Sequence, residues 1–310
     1  MTGEEYTGKH RRTGAGAIPA PRWPSRLPAG SSGPPAWSGG PPAWSSRPPA
    51  GPSRPLAAQV VVIAKEPVPG RVKTRLTPPF TPAQAAALAE ASLVDTLAAV
   101  AATPVSRRVL ALDGTPGRWL PGGFDVIGQR GAGLDERIAW ALVDAQDTLA
   151  VPLVLIGMDT PQVTPGLLAA AAEPLVSDTA DATFGMAEDG GFWLLGLRKI
   201  DPALVLGIPM SRSDTGSRQL ARLERAGLRV RRVPELIDVD TVAEAEHIAA
   251  ATPGSAFATC LTGLRYRAAQ AGAVAREGIS AGWDHASSRE WLNSFWLHEV
   301  RVRVTAPAKF

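Results

Sequence analysis

Cysteine and histidine are scarce in this chain, and their scarcity excludes several kinds of site. The 310 residues include one cysteine, Cys260, so there is no partner for an internal disulfide and no cluster of cysteine metal ligands. A lone cysteine is typical of a protein from a reducing compartment, and we expect a cytoplasmic location. None of the histidines His247, His285 and His298 has the spacing of a metal-binding motif.

The chain is also expected to lack long apolar runs. No stretch approaches the roughly 18 residues that a membrane-spanning helix needs. The first residues contain no apolar segment of the kind found in a secretion signal. We therefore expect no membrane span.

The central part of the chain lacks the positive charge that the whole chain carries. The formal net charge is +3, but residues 1–55 contribute +5 and residues 265–310 contribute +3, which leaves −5 for residues 56–264. A nucleic-acid binder needs a basic face on its folded body. We expect no specific nucleic-acid partner.

Composition divides the chain into three parts. Residues 1–55 are rich in Pro, Gly, Ser and Trp, contain the near-duplicate GPPAWSGGPPAWSSRPPAG, and are predicted to be a disordered tail. Residues 56–254 have the pattern of one folded domain, and residues 255–310 form an extension of unknown structure. Within this extension, SREWLNSFWLHEV is either an amphipathic helix that docks on another surface or additional sequence without a role.

Short β-branched runs alternate with longer helical ones from Ala57 onward, which predicts an α/β fold with a mostly parallel sheet covered by helices. The strands are expected at residues 59–64, 107–112, 124–128, 152–158, 182–184, 192–197 and 228–233. Helices are expected after the N-cap residues Thr81 and Thr164, from Leu134, over residues 214–226, and last after Thr241.

The segment AKEPVPGRVKTRLTP follows the first strand, where ligands bind in open α/β sheets. It holds four of the 18 lysines and arginines of residues 56–264, namely Lys65, Arg71, Lys73 and Arg75. Such a concentration on an otherwise acidic body suits an anionic ligand, and Gly70 would let the backbone approach a phosphate. Composition alone leaves a solvated surface loop as an equally good interpretation.

Carboxylates follow two other predicted strands. Asp159 ends the buried run PLVLIGM, where it would either hold Mg²⁺ together with substrate phosphates or cap the turn with Thr160. Asp238 and Asp240 present a similar choice, since one of them could cap the following helix while the other reaches the metal.

The segment EDGGFWLLGL begins a strand with two glycines, a pattern that often marks the close approach of a ligand or of another backbone segment. Phe192 and Trp193 are interpreted as core or pocket wall.

The loop, read as Ala64-Lys65-x-Pro67-x-Pro69-Gly70-x-Val72-Lys73-Thr74-Arg75-Leu76, closely resembles the hallmark of a bacterial family of unknown function that is classed with glycosyltransferases. This family is related to the guanylyltransferases of molybdenum-cofactor and phospholactate metabolism, and some members are named as arsenosugar-biosynthesis glycosyltransferases. Four further segments match in order, over about residues 58–250: GAGLDERIAWA, GMDTPQV, EDGGFWLLGL and IDVDTVAEAE.

The resemblance implies a GT-A fold, that of the nucleotide-diphospho-sugar transferases, and a set of roles. The nucleotide's phosphates would be bound by Lys65, Gly70, Arg71, Lys73 and Arg75. The catalytic residues would be Lys73, Asp159 and Asp189, the metal ligands for Mg²⁺ or Mn²⁺ would be Asp159 and Asp240, and Gly190 and Gly191 would line the substrate side.

The implied reaction is glycosyl transfer from a nucleotide-sugar to an unknown small-molecule acceptor. Nucleotidyl transfer from a nucleoside triphosphate to a phosphorylated substrate stays open, because the same loop would bind the phosphates in both reactions. A protein that binds a nucleotide or a partner without catalysis is the third hypothesis, since a fold does not fix a function.

Overall fold

The structure, a computed structural model, describes residues 54–280, with side chains described up to residue 270. The predictions of a disordered tail, apart from its last two residues, and of a helix in SREWLNSFWLHEV lie outside the described residues. The boundaries placed after residues 55 and 254 stay predictions.

Seven strands form one sheet in the order β3-β2-β1-β4-β6-β5-β7. The strands are β1 Leu56–Lys65, β2 Val105–Asp113, β3 Asp125–Gly128, β4 Leu153–Ile156, β5 Ala182–Met186, β6 Phe192–Leu197 and β7 Val230–Arg232. All neighbouring pairs are parallel except those that involve β6, which runs antiparallel to β4 and β5. The expected α/β fold with a mostly parallel sheet is therefore confirmed.

Within residues 54–280, six α-helices accompany the sheet: α1 Pro82–Ala102, α2 Leu134–Thr148, α3 Pro165–Val176, α4 Thr215–Arg225, α5 Val242–Ala251 and α6 Ala256–Ser280. Local sequence fixes several of their starts. Thr81 and Thr241 each form a capping box, with Gln84 and Glu244 respectively. The Thr164 side chain accepts a hydrogen bond from Leu167 N at the start of α3. These predicted caps are confirmed.

The sheet is covered on both faces because successive strand residues point to opposite sides. Val60 and Val62 of β1 pack in one cluster with α1 and α3, while Val61 between them packs in a second cluster with α2 and with Leu223 of α4. The continuous apolar sequence of β1 thus reflects burial on both faces.

Helix α1 is longer and more apolar than expected. By length and composition alone it is the one helix in residues 54–280 that could cross a membrane, and the expectation that no stretch approaches this length was wrong. The helix packs on the sheet with one face, and Ala85 and Leu88 of its other face lie in a third cluster with α5 and α6. Most of its apolar segment is buried between these layers.

The helix after Thr241 is not the last one, since α6 follows it and was not predicted. Phe257, Leu261 and Leu264 of α6 are buried in the third cluster. The carboxylate of Asp95 in α1 accepts hydrogen bonds from the backbone N–H groups of Ala256 (2.9 Å) and Phe257 (2.8 Å). It therefore caps α6 from another helix, an arrangement that leaves no local sequence signal.

Candidate active site

A cleft of about 770 Å³ opens at the carboxyl ends of β1, β2 and β4. Because β6 is antiparallel to β4, with Ile156 opposite Leu194, the start of β6 and the segment before it reach the same edge of the sheet. Eight of the predicted site residues line the cleft: Lys65, Arg71, Lys73, Arg75, Asp159, Asp189, Gly191 and Asp240. Gly70 and Gly190 lie in the adjoining backbone rather than in its wall.

Backbone contacts hold the two acidic segments together. Val239 donates its N–H to the carbonyl oxygen of Asp159 at 3.0 Å, and the Gln162 side chain donates to the carbonyl of Ile237 at 2.6 Å. Val239 is fully buried, so Asp238 and Asp240 on either side of it are fixed next to Asp159.

Lys73 is the centre of this arrangement. Its Nζ atom lies 2.6 Å from Oδ1 of Asp159 and 3.7 Å from Oδ1 of Asp240, and it also donates a hydrogen bond to the carbonyl of Val239. Only 6% of its side chain is exposed. The lysine therefore connects the cationic loop to both acidic segments.

The backbone of Lys73 adopts a left-handed conformation, with φ 48° and ψ 38°. Such a conformation costs a residue with a side chain about 1 kcal/mol or more, so the surrounding structure must hold it in place. Val72 and Leu76 on either side are buried, which anchors the loop and aims Lys73 inward.

The loop's arginines lie closer to solvent. Arg75 Nη1 is 2.6 Å from Oδ2 of Asp240, with 72% of its side chain exposed. Arg71 is 3.7 Å from Asp113 at the end of β2, and Arg137 of α2 contacts the other oxygen of the same carboxylate at 2.8 Å. Each aspartate thus orients a guanidinium group at the edge of the cleft.

The other two predicted loop residues contribute less to the geometry. Lys65 has an exposed side chain, and its N–H lies 3.3 Å from the sulfur of Met158. Gly70 has φ +78°, and a Cβ atom there would meet nothing within 4 Å. Glycine is therefore favoured at position 70 by its backbone conformation and not by lack of space.

The structure shows which of these aspartates act as caps. Among the described residues, the Asp159 carboxylate accepts no backbone hydrogen bond and is paired with Lys73. Neither Asp238 nor Asp240 caps α5, whose N-cap is Thr241, so the hypothesis that one of them does was wrong.

Asp238 is a partly buried carboxylate beside these residues. Burial, together with the negative charges of Asp159, Asp189 and Asp240, raises its pKa to about 7, whereas Lys73 opposes this shift. The negative charge of this pocket therefore exceeds what Lys73 offsets, and a second cation or a proton is favoured there.

The segment that contains Asp189, Gly190 and Gly191 is a tight turn on the predicted substrate side. Oδ1 of Asp189 accepts a hydrogen bond from Gly191 N at 2.7 Å, and Gly190 has φ +86°. A Cβ atom on Gly190 would lie 1.9 Å from the carbonyl oxygen of Ser213. The expected close backbone approach is therefore present, and its partner is the segment just before α4.

Several cleft residues were not predicted. Asp113 follows a predicted strand and Arg137 lies within the segment GAGLDERIAWA, so the sequence contains a signal for both. Residues 210–213 also line the cleft. They follow no strand, and only their packing against Gly190 brings them there.

The carboxylates of this pocket fit a divalent metal ion for which the protein supplies only part of the coordination. Asp159 and Asp240 offer hard carboxylate oxygens in one pocket, the ligands preferred by Mg²⁺ and Mn²⁺. Among residues 54–280, no group of three or more His, Cys, Asp or Glu side chains has the arrangement of a complete metal site. The pair thus matches the way Mg²⁺ is commonly bound, by one or two carboxylates with the remaining positions left to phosphates and water.

Comparisons with known proteins agree with this architecture. Residues 88–212 match the model of family DUF2064, described as an uncharacterized protein conserved in bacteria. No curated protein matches the chain.

Among solved structures, one from Desulfovibrio desulfuricans G20, described as a "putative nucleotide-diphospho-sugar transferase", is 27% identical. The match covers 66% of this chain and 94% of that protein, with a TM-score of 0.61. This chain has a nucleotide-diphospho-sugar transferase fold.

More distant matches include CMP:2-keto-3-deoxy-manno-octonic acid synthetase complexed with CTP, at 15% identity over 62% of this chain and 96% of that one, with a TM-score of 0.41. Glucosyl-3-phosphoglycerate synthase from Mycobacterium tuberculosis, in complex with Mn²⁺, uridine diphosphate and glucosyl-3-phosphoglycerate, is 12% identical over 59% of this chain and 71% of that one, with a TM-score of 0.38.

Proposed function

We propose that this protein is a metal-dependent transferase that moves a sugar from a nucleoside diphosphate to a small-molecule acceptor. The observation that carries the proposal is the contact of Lys73 with both Asp159 and Asp240 inside the cleft, because it joins a cationic loop to two possible metal ligands. The similarity in fold to the protein from D. desulfuricans supports the choice of a nucleotide-sugar donor.

The cationic loop would bind the diphosphate of the donor. Arg71 and Arg75 are more than half exposed, and each lines the cleft while paired with an aspartate. A diphosphate would attract both guanidinium groups, which form strong paired hydrogen bonds with phosphate oxygens. Lys73 would contribute positive charge from its buried position and would also position Asp159. Lys65 and the Gly70 backbone would border the same phosphates.

Asp159 and Asp240 would hold Mg²⁺ or Mn²⁺. Such an ion, when bound, stabilises the negative charge that develops on a leaving diphosphate. The contribution of the protein is to place two carboxylates where phosphate oxygens can complete the coordination.

Asp189 would act as the base on the acceptor side. Its Oδ1 is held by Gly191 N, while among the described residues its Oδ2 accepts no hydrogen bond, and the side chain is exposed to the cleft. In the proposed step the acceptor hydroxyl oxygen bonds to the anomeric carbon, the bond from that carbon to the diphosphate breaks, and the hydroxyl proton passes to Asp189. Gly190 and Gly191 would keep this side of the cleft open.

Binding is the first experiment. The full chain is titrated by calorimetry with nucleoside diphosphates, nucleotide-sugars and nucleoside triphosphates, with and without Mg²⁺ or Mn²⁺. We expect metal-dependent binding of one nucleotide class, and a loss of at least tenfold in affinity with Asp159→Ala. Asp147→Ala, at an exposed position of α2, is the matched control and should bind like the wild type.

The products released from the nucleotide then distinguish glycosyl transfer from nucleotidyl transfer. Release of a nucleoside diphosphate from the bound nucleotide-sugar supports glycosyl transfer, whereas release of pyrophosphate from a bound triphosphate would replace it with nucleotidyl transfer. A folded protein that binds no member of the panel would overturn the transferase proposal in favour of a non-catalytic role.

A further inference from the structure

The segment Met210–Ser213 forms the wall of the cleft beside Asp189 and Gly191, on the acceptor side of the proposed site. Neither the sequence patterns nor the comparisons assign it a role. Its side chains end in two hydroxyl groups and one guanidinium group, those of Ser211, Ser213 and Arg212.

The backbone of this segment is fixed on both sides. Gly216 N donates to the carbonyl of Gly190 at 2.8 Å, and the carbonyl of Ser213 lies so close to Gly190 that no Cβ atom would fit between them. Thr215, which is buried, donates its hydroxyl to Pro209 O at 2.8 Å and accepts from Arg212 N at 3.1 Å. These contacts keep Ser211 in a left-handed conformation, with φ 57°. The segment is therefore a preformed surface.

Arg212 has hydrogen-bonding capacity that the protein leaves unused. Its Nε contacts Oδ1 of Asp214 at 3.2 Å, and 61% of its side chain is exposed. Among the described residues, its two terminal amino groups donate no hydrogen bond, and the hydroxyl groups of Ser211 and Ser213 make none either. Several donors in the cleft wall therefore have no partner within the part of the chain that the structure describes.

The local charge is positive. Asp214 is shared between two arginines, because its Oδ2 contacts Nε of Arg218 at 2.7 Å while its Oδ1 contacts Arg212. These two contacts also hold the pKa of Asp214 below its usual value, so it stays ionised. Two cations and one anion leave one net positive charge. Arg71 and Arg137 share Asp113 in the same way, whereas Arg75 pairs with Asp240.

We infer that residues 211–213 form a binding site for an anionic group of the acceptor, a carboxylate or a phosphate. A guanidinium with two free amino groups pairs with two oxygens of such a group, and neighbouring hydroxyls add further hydrogen bonds. The acceptor would then carry its anionic group at Arg212 and present its hydroxyl to Asp189. The inference depends on the proposed transfer reaction in one respect, which is that it identifies this ligand as the acceptor.

The test compares three small probes of similar size: glycerol 3-phosphate, glycerate and neutral glycerol. Each is titrated calorimetrically into the full-length wild type and into Arg212→Gln, Arg212→Lys and Arg218→Gln. Arg218→Gln measures the effect of charge alone, because Arg218 contacts the same carboxylate as Arg212 but does not line the cleft. Anion binding at the cationic loop is common to all four proteins and cancels in the comparison.

We expect at least one anionic probe to bind at least tenfold more tightly than glycerol, and Arg212→Gln to lose about tenfold of that affinity. Arg212→Lys should keep part of it, since it keeps the charge but loses the paired geometry. Arg218→Gln should lose clearly less than Arg212→Gln, since it removes a nearby charge but no group that lines the cleft. The stronger of the two anionic probes identifies the group as phosphate or carboxylate.

Equal affinities of wild type and Arg212→Gln, equal binding of glycerol, or no binding of either anion by the wild type would each overturn the inference. A different result, the absence of nucleotide binding, would overturn the proposed function. Asp159→Ala should weaken nucleotide binding at least tenfold and leave the difference between wild type and Arg212→Gln unchanged.

Discussion

The Nζ atom of Lys73 lies 2.6 Å from Oδ1 of Asp159, and the ammonium group is nearly buried while 43% of the carboxylate side chain is exposed. This contact joins the loop after β1 to the end of β4. It also places one positive charge among Asp159, Asp238 and Asp240, so the stability of the loop and the affinity of the cleft for cations depend on the same residue.

Replacement of Lys73 by glutamine tests this dependence. Loss of the ammonium leaves the three carboxylates without their buried partner, and since Asp159 is partly solvated we expect a decrease of about 1–2 kcal/mol in the free energy of unfolding. Urea denaturation with and without Mg²⁺ measures it. The variant should regain more stability from Mg²⁺ than the wild type does, and an equal response in both proteins would contradict the prediction. Lys199→Gln, outside the cleft, is the control.

Gly190→Ala should damage the acceptor side of the cleft. The new Cβ atom would overlap the carbonyl oxygen of Ser213 in a backbone conformation with φ +86°. We expect a loss of about 2–4 kcal/mol in the free energy of unfolding, from strain and from displacement of residues 210–213.

Gly70→Ala is the matched comparison, since φ is +78° but the space is open. It should cost about 1 kcal/mol, from conformation alone. Denaturation curves of both variants measure the difference, and equal losses would show that the contact between Gly190 and Ser213 has no energetic effect.

Asp181 should make stability depend on pH in the acidic range. Hydrogen bonds from Arg229 and Arg198 hold its pKa well below the usual 3.8. A carboxyl group with a lowered pKa in the folded state stabilises the fold above its unfolded pKa, and this contribution is lost as the pH falls toward the folded pKa.

Asp181→Asn should therefore be less stable than the wild type at neutral pH, with a difference that shrinks below about pH 4. Denaturation at a series of pH values provides the measurement. Asp147→Asn, an exposed carboxylate without an ion pair among the described residues, should show no such trend. A difference between Asp181→Asn and wild type that stays constant from neutral to low pH would refute the assignment.

Asp95→Ala should loosen α6 from the domain. The carboxylate accepts the first N–H groups of α6, those of Ala256 and Phe257, and a lost helix cap costs about 1 kcal/mol. Hydrogen exchange of the amides in residues 256–264 should accelerate, while exchange in β1 stays slow. Unchanged protection of α6 would mean that its apolar contacts alone hold it in place. Glu173→Ala, at an exposed position of α3, is the control.

Much of the fold could be predicted from the sequence because its signals are local. The capping boxes of Thr81 and Thr241 lie within four residues, and the apolar runs of β1 and β4 are continuous. The start of α6 could not be predicted, because its cap is the side chain of Asp95 from a distant helix. The apolar character of α1, by contrast, is encoded in the sequence itself, and the structure adds that separate layers bury both of its faces.

The candidate site likewise has features that the sequence predicts and features that it does not. By itself the sequence determined which residues are available: a loop with four cations, and aspartates that follow predicted strands, where the ends of a parallel sheet collect polar groups. Only the tertiary structure decided the contacts, because the hydrogen bond from Val239 to Asp159, the central position of Lys73 and the approach of Ser213 to Gly190 each join segments far apart in the chain. Such pairings depend on the order of the strands and the antiparallel direction of β6, which local propensity does not encode.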